Sequence, residues 1–251
     1  LSFFLLCLLT PVLGGIFYYV NQNNNEYTEE TINLYLELGA DVFDYTRVQQ
    51  AETLQAITNS LTWDFGFRTA YASNDPATIF DASLNVLDRS LESADMLMIV
   101  DLNNQIVIDT QLQGYDVVSG SWLSLIEAAD ASVDGLAESI VTIAGQPFQL
   151  IALPLYLPRQ VAWIIGGFSL DQDFVVQVAE TIVSDVTIVR NSESEGLQVM
   201  ASTLPSQQRT FLTEALVVNP STINGLQQIL FEQETFTTLL RSLYSSPDDN
   251  V

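Results

Sequence analysis

The chain contains no histidine and no lysine, and its single cysteine, Cys7, lies inside an apolar run. Without histidine, the commonest general base and the commonest transition-metal ligand are both missing. With no lysine and no second cysteine either, neither a conventional Ser-His-Asp triad nor an aqueous Cys nucleophile can be assembled. An intrachain disulfide is excluded as well. Neither G-x-x-x-x-G-K-[ST] nor G-x-G-x-x-G occurs, so no phosphate-cradling loop of those kinds is present. Cations are scarce: seven arginines stand against 31 acidic side chains, for a net charge of -24. Such a surface repels a phosphate backbone, which excludes nucleic acid as a partner. The acids are dispersed, as on a solvated surface suited to a salty medium, and neighbours such as Asp171/Asp173 and Asp248/Asp249 read as solvated rather than catalytic. No catalytic residue, metal site or cofactor is expected, and this stretch of chain is not expected to form an enzyme.

What the sequence does contain begins with residues 1–20, which carry no charge over twenty positions. That is the length an α-helix needs to cross about 30 Å of hydrocarbon, so a transmembrane helix is expected there. The alternative is a cleaved signal peptide, but the run exceeds a typical signal core and no A-x-A-like site follows. Phe4-Leu5-Leu6 before Cys7 lacks the small residues of a lipoprotein site. Because the chain begins with Leu, a preceding segment is expected. After Val20 come Asn21 to Asn25, then Glu26, Glu29 and Glu30, with no basic residue before Arg47. Cytoplasmic flanks carry an excess of Lys and Arg, which puts the downstream side outside the membrane.

Residues 26–72 repeat apolar positions (Ile32, Leu36, Val42, Phe43, Leu54, Ile57, Leu61) at helical spacings, and residues 21–72 are expected to form one long stalk. At 1.5 Å per residue, 45 residues would reach roughly 68 Å, which suits a helix that rises from a membrane and pairs with a second copy. Ser73-Asn74-Asp75-Pro76 then breaks and restarts the helix, with Asp75 placed to cap and Pro76 at the first helical position. Ala77, Phe80, Leu84, Leu87 and Leu91 share one face of the helix that follows.

Residues 96–100 and 105–109 are β-rich and separated by Asp101-Leu102-Asn103-Asn104, a turn composition. A short helix is expected over 121–131, then strands over 136–143, 148–155 and 161–168, punctuated by Gly145-Gln146-Pro147 and Pro158-Arg159-Gln160. Two strands, a helix and three antiparallel strands is the order of a PAS-like α+β module, expected over 73–184. A connecting helix is expected over 171–184. From Asp185 the order starts again: strand 186–190, strand 196–202, helix 205–217, and two β-rich runs within 227–244. This second module, 185–251, is expected to be incomplete here, with the natural protein continuing through a second membrane helix.

Several residues could line a site. Trp63, Asp64 and Arg68 place an aromatic wall beside a carboxylate and a guanidinium, a set suited to a small anionic or amine-bearing ligand. The structural alternative is an Asp64/Arg68 pair on one helical face, worth about 0.3–0.5 kcal/mol when exposed. Arg89 could reach the sheet or Asp109, or serve as a solvated cation at a helix end. Tyr71, Tyr156, Arg159 and Trp163 are further candidate linings, although one residue of register error reverses the face of each strand residue.

The run Asp64-Phe65-Gly66-Phe67-Arg68, the Ala72-Ser73-Asn74-Asp75 run, Thr78-Ile79, Arg89 and the hairpin Asp101-Leu102-Asn103-Asn104-Gln105-Ile106-Val107 together resemble the double Cache sensor regions attached to GGDEF/EAL cyclic-di-GMP signalling enzymes. The likeness continues more loosely through Ala162-Trp163 and Gly167-Phe168. It implies tandem PAS-like Cache modules in the periplasm of a bacterium, anchored in the inner membrane. It also implies an unknown small-molecule ligand, a homodimer, and a diguanylate cyclase or phosphodiesterase output elsewhere in the full-length protein. The Tyr/Arg/Trp/Asp signature of amino-acid-binding Cache members is absent. A histidine kinase or chemoreceptor output, a structural or adhesive protein without a ligand, and a secreted hydrolase remain as alternatives.

Overall fold

In a computed structural model the backbone is described for residues 2–90, 94–110, 121–143, 145–192, 196–216, 223–231 and 234–243. Side chains are described from residue 28 onward within those stretches, except at 89, 90, 121, 192, 231 and 234. The fold is α+β with antiparallel sheets.

Helix α1 (Ser2–Trp63) runs 62 residues, about 93 Å at 1.5 Å per residue. The expected helix over 26–72 is in fact two helices. Asp64 leaves helical geometry at ψ 119°, and its carboxylate accepts the Phe67 N–H at 2.7 Å, capping α2 (Phe65–Ala72). An Asp oxygen competes with the backbone for such donors, and here it ends one helix by starting the next. The membrane anchor expected over 1–20 lies outside the residues whose side chains are described. Among the described residues no helix is long and apolar enough to cross a membrane.

Asn74 takes a left-handed turn at φ 56°, and Asp75 accepts the Thr78 N–H at 3.1 Å to open α3 (Pro76–Ser90), as the Asn-Asp-Pro sequence predicts. Strands β1 (Met96–Asp101) and β2 (Ile106–Asp109) flank a turn in which Asp101 accepts the N–H groups of Asn103 and Gln105, each at 2.8 Å. Helix α4 (Ser121–Ala131) precedes β3 (Ala137–Ile143), β4 (Gln146–Tyr156) and β5 (Gln160–Ser169). The strands form one antiparallel sheet in the order β2-β1-β5-β4-β3, so the last strand is central.

Both faces of this sheet are buried. On one face α4 packs over Met98, Val100, Val141, Leu150, Ala152, Trp163 and Ile165. On the other, α1 crosses β4 and β5 with Leu54 and Leu61 fully buried, each worth about 1.5–3 kcal/mol of burial. Helices α2 and α3 continue that layer with Phe67, Ile79 and Val86 over Leu97, Ile99 and Ile164. Gly166 and Gly167 adjust the central strand to both layers. A Cβ on Gly166 would collide with Thr58 of α1, and one on Gly167 would collide with Leu150 and stand 2.8 Å from Met96 Cγ.

The connecting helix α5 (Gln172–Ala179) is shorter than the expected 171–184 and begins at Asp171, whose side chain accepts the N–H groups of Asp173 and Phe174. Phe174 meets Phe43 of α1 edge-on at 5.4 Å between ring centroids. Beyond it lie β6 (Thr187–Ser192), β7 (Gly196–Ser202), α6 (Ser206–Ala215), β8 (Gly225–Phe231) and β9 (Glu234–Leu240). These strands form two separate antiparallel pairs, β6-β7 and β8-β9.

Candidate functional site

The site candidates do not converge on one place; they divide between the two faces of the five-stranded sheet. Asp64, Arg68 and Tyr71 belong to the α1/α2 side. Asp64 is occupied as the cap of α2, and Arg68, half-buried, bonds its backbone N–H to the Asp64 carbonyl at 2.9 Å. The Tyr71 hydroxyl donates to the Val161 carbonyl at 3.4 Å. Burial pushes that phenol up from its ordinary pKa, and the negative charge of Asp101 pushes it the same way. Trp63 and Tyr156 are exposed at 75% and 52%, so neither forms part of an enclosed wall. The Arg89 side chain lies outside the described residues.

Trp163 and Asp109 lie on the opposite face. Trp163 is a buried member of the core beneath α4. Asp109 stands directly across from Met98 in the β1/β2 register, and paired residues share a face, so Asp109 lies on the side of the sheet that carries Met98 and Trp163.

Trp122 of α4 joins them, a residue the sequence pattern absorbs into an ordinary apolar stripe. It is only 5% exposed, and its Nε1 is buried with no hydrogen-bond partner among the described residues. A buried indole N–H left without an acceptor costs about 1–3 kcal/mol, so something that accepts a hydrogen bond would be stabilised there. The α4 face thus holds two tryptophans and two methionines in its packed core, with Asp109 on the same side of the sheet. Among the described residues no cluster of three or more His, Cys, Asp or Glu could hold a metal ion.

A polar link ties α1 to the sheet some distance from these residues. Arg47 of α1 pairs with Glu138 of β3 at 2.8 Å, and the same carboxylate oxygen accepts from the amide of Gln149, which is fully buried on β4. Asp95, just before β1, accepts the Ser169 N–H at 2.6 Å and so joins the start of β1 to the end of β5. Burial raises its pKa, with a further push from the charge of Asp171, against the lowering effect of the Ser169 bond.

No protein-family model matches the chain, and no curated protein matches it. Solved structures do match. Two crystal structures of the periplasmic domain of Vibrio cholerae LuxQ superpose on it with a TM-score of 0.52. One is 15% identical and the match covers 81% of this chain and 92% of that one; the other is 16% identical, with 82% and 94% covered. At such identity the likeness is one of fold.

Proposed function

We propose that this chain is the periplasmic sensing region of a bacterial transmembrane signalling protein, with tandem Cache-like modules over 73–184 and 185–251 carried on a membrane-anchored stalk. The observation that carries the reading is α1: one continuous helix joins the uncharged run over 1–20 to the sheet, where it is buried at Leu54, Thr58 and Leu61. The fold likeness to a periplasmic domain supports the same location.

In this reading a small molecule binds on the α4 face of the five-stranded sheet, near Trp122, Trp163 and Asp109, and satisfies the Trp122 N–H. Binding that favours one packing of the sheet shifts the population of the α1 positions compatible with it. The helix is coupled to the sheet through Leu54, Thr58 and Leu61, which are buried against it, with Thr58 and Leu54 close over Gly166. Its outward face supports a dimer. Leu34, Leu38, Tyr45 and Val48 are exposed at 56, 50, 66 and 44% and follow the four, seven, three spacing of a heptad seam. By the resemblance of its motifs, the output driven by that dimer is synthesis or hydrolysis of cyclic-di-GMP.

The test is thermal stabilisation of the chain, in detergent or a lipid nanodisc, against a panel of small metabolites, since a ligand that binds only the folded state raises its stability by mass action. A stabilising compound whose effect is lost in Trp122→Phe supports the reading. A folded protein that no compound stabilises favours a structural role.

A further inference from the structure

The face that α1 turns to the five-stranded sheet is apolar along most of its length. Ala51 and Leu54 pack with Ile151, Leu153 and Phe168, and Leu61 packs further along with Leu155, Ala162 and Ile164. One layer of this interface is polar on both sides. Gln149 stands two residues before Ile151 on β4, and so on the face that meets α1, where it is fully buried. Helix α1 contributes Arg47 and, three residues on, Gln50 to the same layer, with the exposed Glu138 of β3 beside them. The Gln149 amide donates to the Glu138 carboxylate and to the Arg47 carbonyl, the latter at 3.4 Å, and the Arg47 guanidinium donates to the same carboxylate at 2.8 Å.

Stability alone does not account for such a layer. Arg47 Nε, Gln50 Oε1 and Gln149 Oε1 are buried and have no hydrogen-bond partner among the described residues. A buried polar set with unmatched members is no more stabilising than apolar side chains of the same size. What it supplies is discrimination between positions. An apolar stripe fits nearly as well after its helix slides by about one turn, because one aliphatic side chain replaces another. A slide of four residues, about 6 Å, would put Ala51 and Leu54 in the places of Arg47 and Gln50, and a slide the other way would put Phe43 and Thr46 there. Either slide separates the Arg47 guanidinium from Glu138. Arg47 would be carried against the apolar residues that now surround Phe43 or Ala51, a charge without a partner.

We infer that the layer of Arg47, Gln50, Glu138 and Gln149 pins the axial register of the stalk. It sets where along the sheet α1 rests, whereas the fit at Gly166 bears on how closely the two approach. The inference concerns the joint between helix and sheet, and it is independent of whether a ligand binds the α4 face.

Distances between spin labels test this in the chain of 251 residues in detergent, with Cys7→Ser and labelled cysteines introduced by Glu30→Cys in the stalk and Arg159→Cys in the turn between β4 and β5. Both positions are exposed and lie beyond opposite ends of the helix–sheet contact, so an axial slide changes their separation almost one for one. The native layer should give one distance. Replacing the layer by apolar side chains (Arg47→Met, Glu138→Leu and Gln149→Met together) should add a second distance displaced by about 6 Å and holding roughly a tenth or more of the molecules, without lowering the melting temperature. Exchanging Arg47→Gln with Gln50→Arg keeps the composition and moves the guanidinium three residues along α1, and it should populate a distance displaced by about 4.5 Å. A single unchanged distance in both variants would overturn the proposal, since the apolar stripe would then fix the register unaided. Should the triple variant fail to fold, the exchange variant decides by the same criterion.

Discussion

Gly166 of β5 and Thr58 of α1 are in direct apposition: the glycine has no side chain because the helix occupies that volume, and Leu54 Cδ1 would stand only 3.0 Å from any Cβ placed there. The contact fixes the height of the stalk over the central strand. Gly166→Ala should therefore lift α1 or displace Thr58, at a cost of about 1–3 kcal/mol, the usual range for an overpacked core. Urea denaturation of wild type and variant checks this. The loss should be larger than for Gly145→Ala with respect to packing, since no atom lies within 4 Å of a Cβ at Gly145 and only its φ of 84° resists substitution.

The Arg47–Glu138–Gln149 link predicts a second loss. Glu138→Ala removes the acceptor used by both the Arg47 guanidinium and the fully buried Gln149 amide. A buried donor left without its acceptor costs about 1–3 kcal/mol. Restoring an oxygen with Glu138→Gln should recover part of the stability. Chemical denaturation of the three proteins at one salt concentration measures both effects.

Asp95 predicts a pH dependence of a particular sign. Its folded-state pKa is raised by burial, so its contribution is fully present below the ordinary carboxylate value and is lost as pH rises through the raised one. Asp95→Asn keeps an oxygen for the Ser169 N–H and should be the more stable protein at pH 7, with the difference disappearing below about pH 4. Asp75 and Asp101 have the opposite sign. Hydrogen bonds from Thr78, and from Gln105 and Asn103, lower their pKa values, so their contributions are lost as pH falls through the lowered values. Thermal melts of wild type and Asp95→Asn from pH 3 to 8 separate the two classes.

The exposed seam on α1 predicts self-association. Leu38→Glu and Tyr45→Glu should each shift the chain from dimer to monomer in sedimentation equilibrium and remove any dependence of its melting temperature on protein concentration. Both side chains are at least half exposed, on the helix face opposite Gly39 and Phe43. Unchanged sedimentation with both substitutions together would remove the dimer seam from the account.

Much of the α+β order is legible in the sequence because its signals are local. Asn74-Asp75-Pro76 marks a helix restart, and Asp101 through Asn104 mark a turn, each through bonds made within a few residues. The break at Asp64 is hidden because Trp63, Phe65 and Phe67 continue an aromatic, helix-compatible run, and only the cap geometry shows that the carboxylate has turned to the Phe67 N–H. The site is less legible for a different reason. Strands β4 and β5 are buried on both faces, so their apolar runs carry no alternation to say that Trp163 faces α4 while Ile164 faces α1. Trp122 is concealed in the same way, since its unpartnered N–H is a property of its surroundings and not of its helix.

The most direct test of the sensing account uses the chain's three tryptophans. Trp63→Phe removes the exposed indole and leaves the buried Trp122 of α4 and Trp163 of β5, members of one core cluster, as the remaining reporters. Titrating that variant with each stabilising metabolite should give a saturable change in tryptophan emission, abolished when Trp122 is also replaced by Phe. A compound that binds and stabilises the folded protein yet leaves the emission of both indoles unchanged would contradict a ligand site on the α4 face.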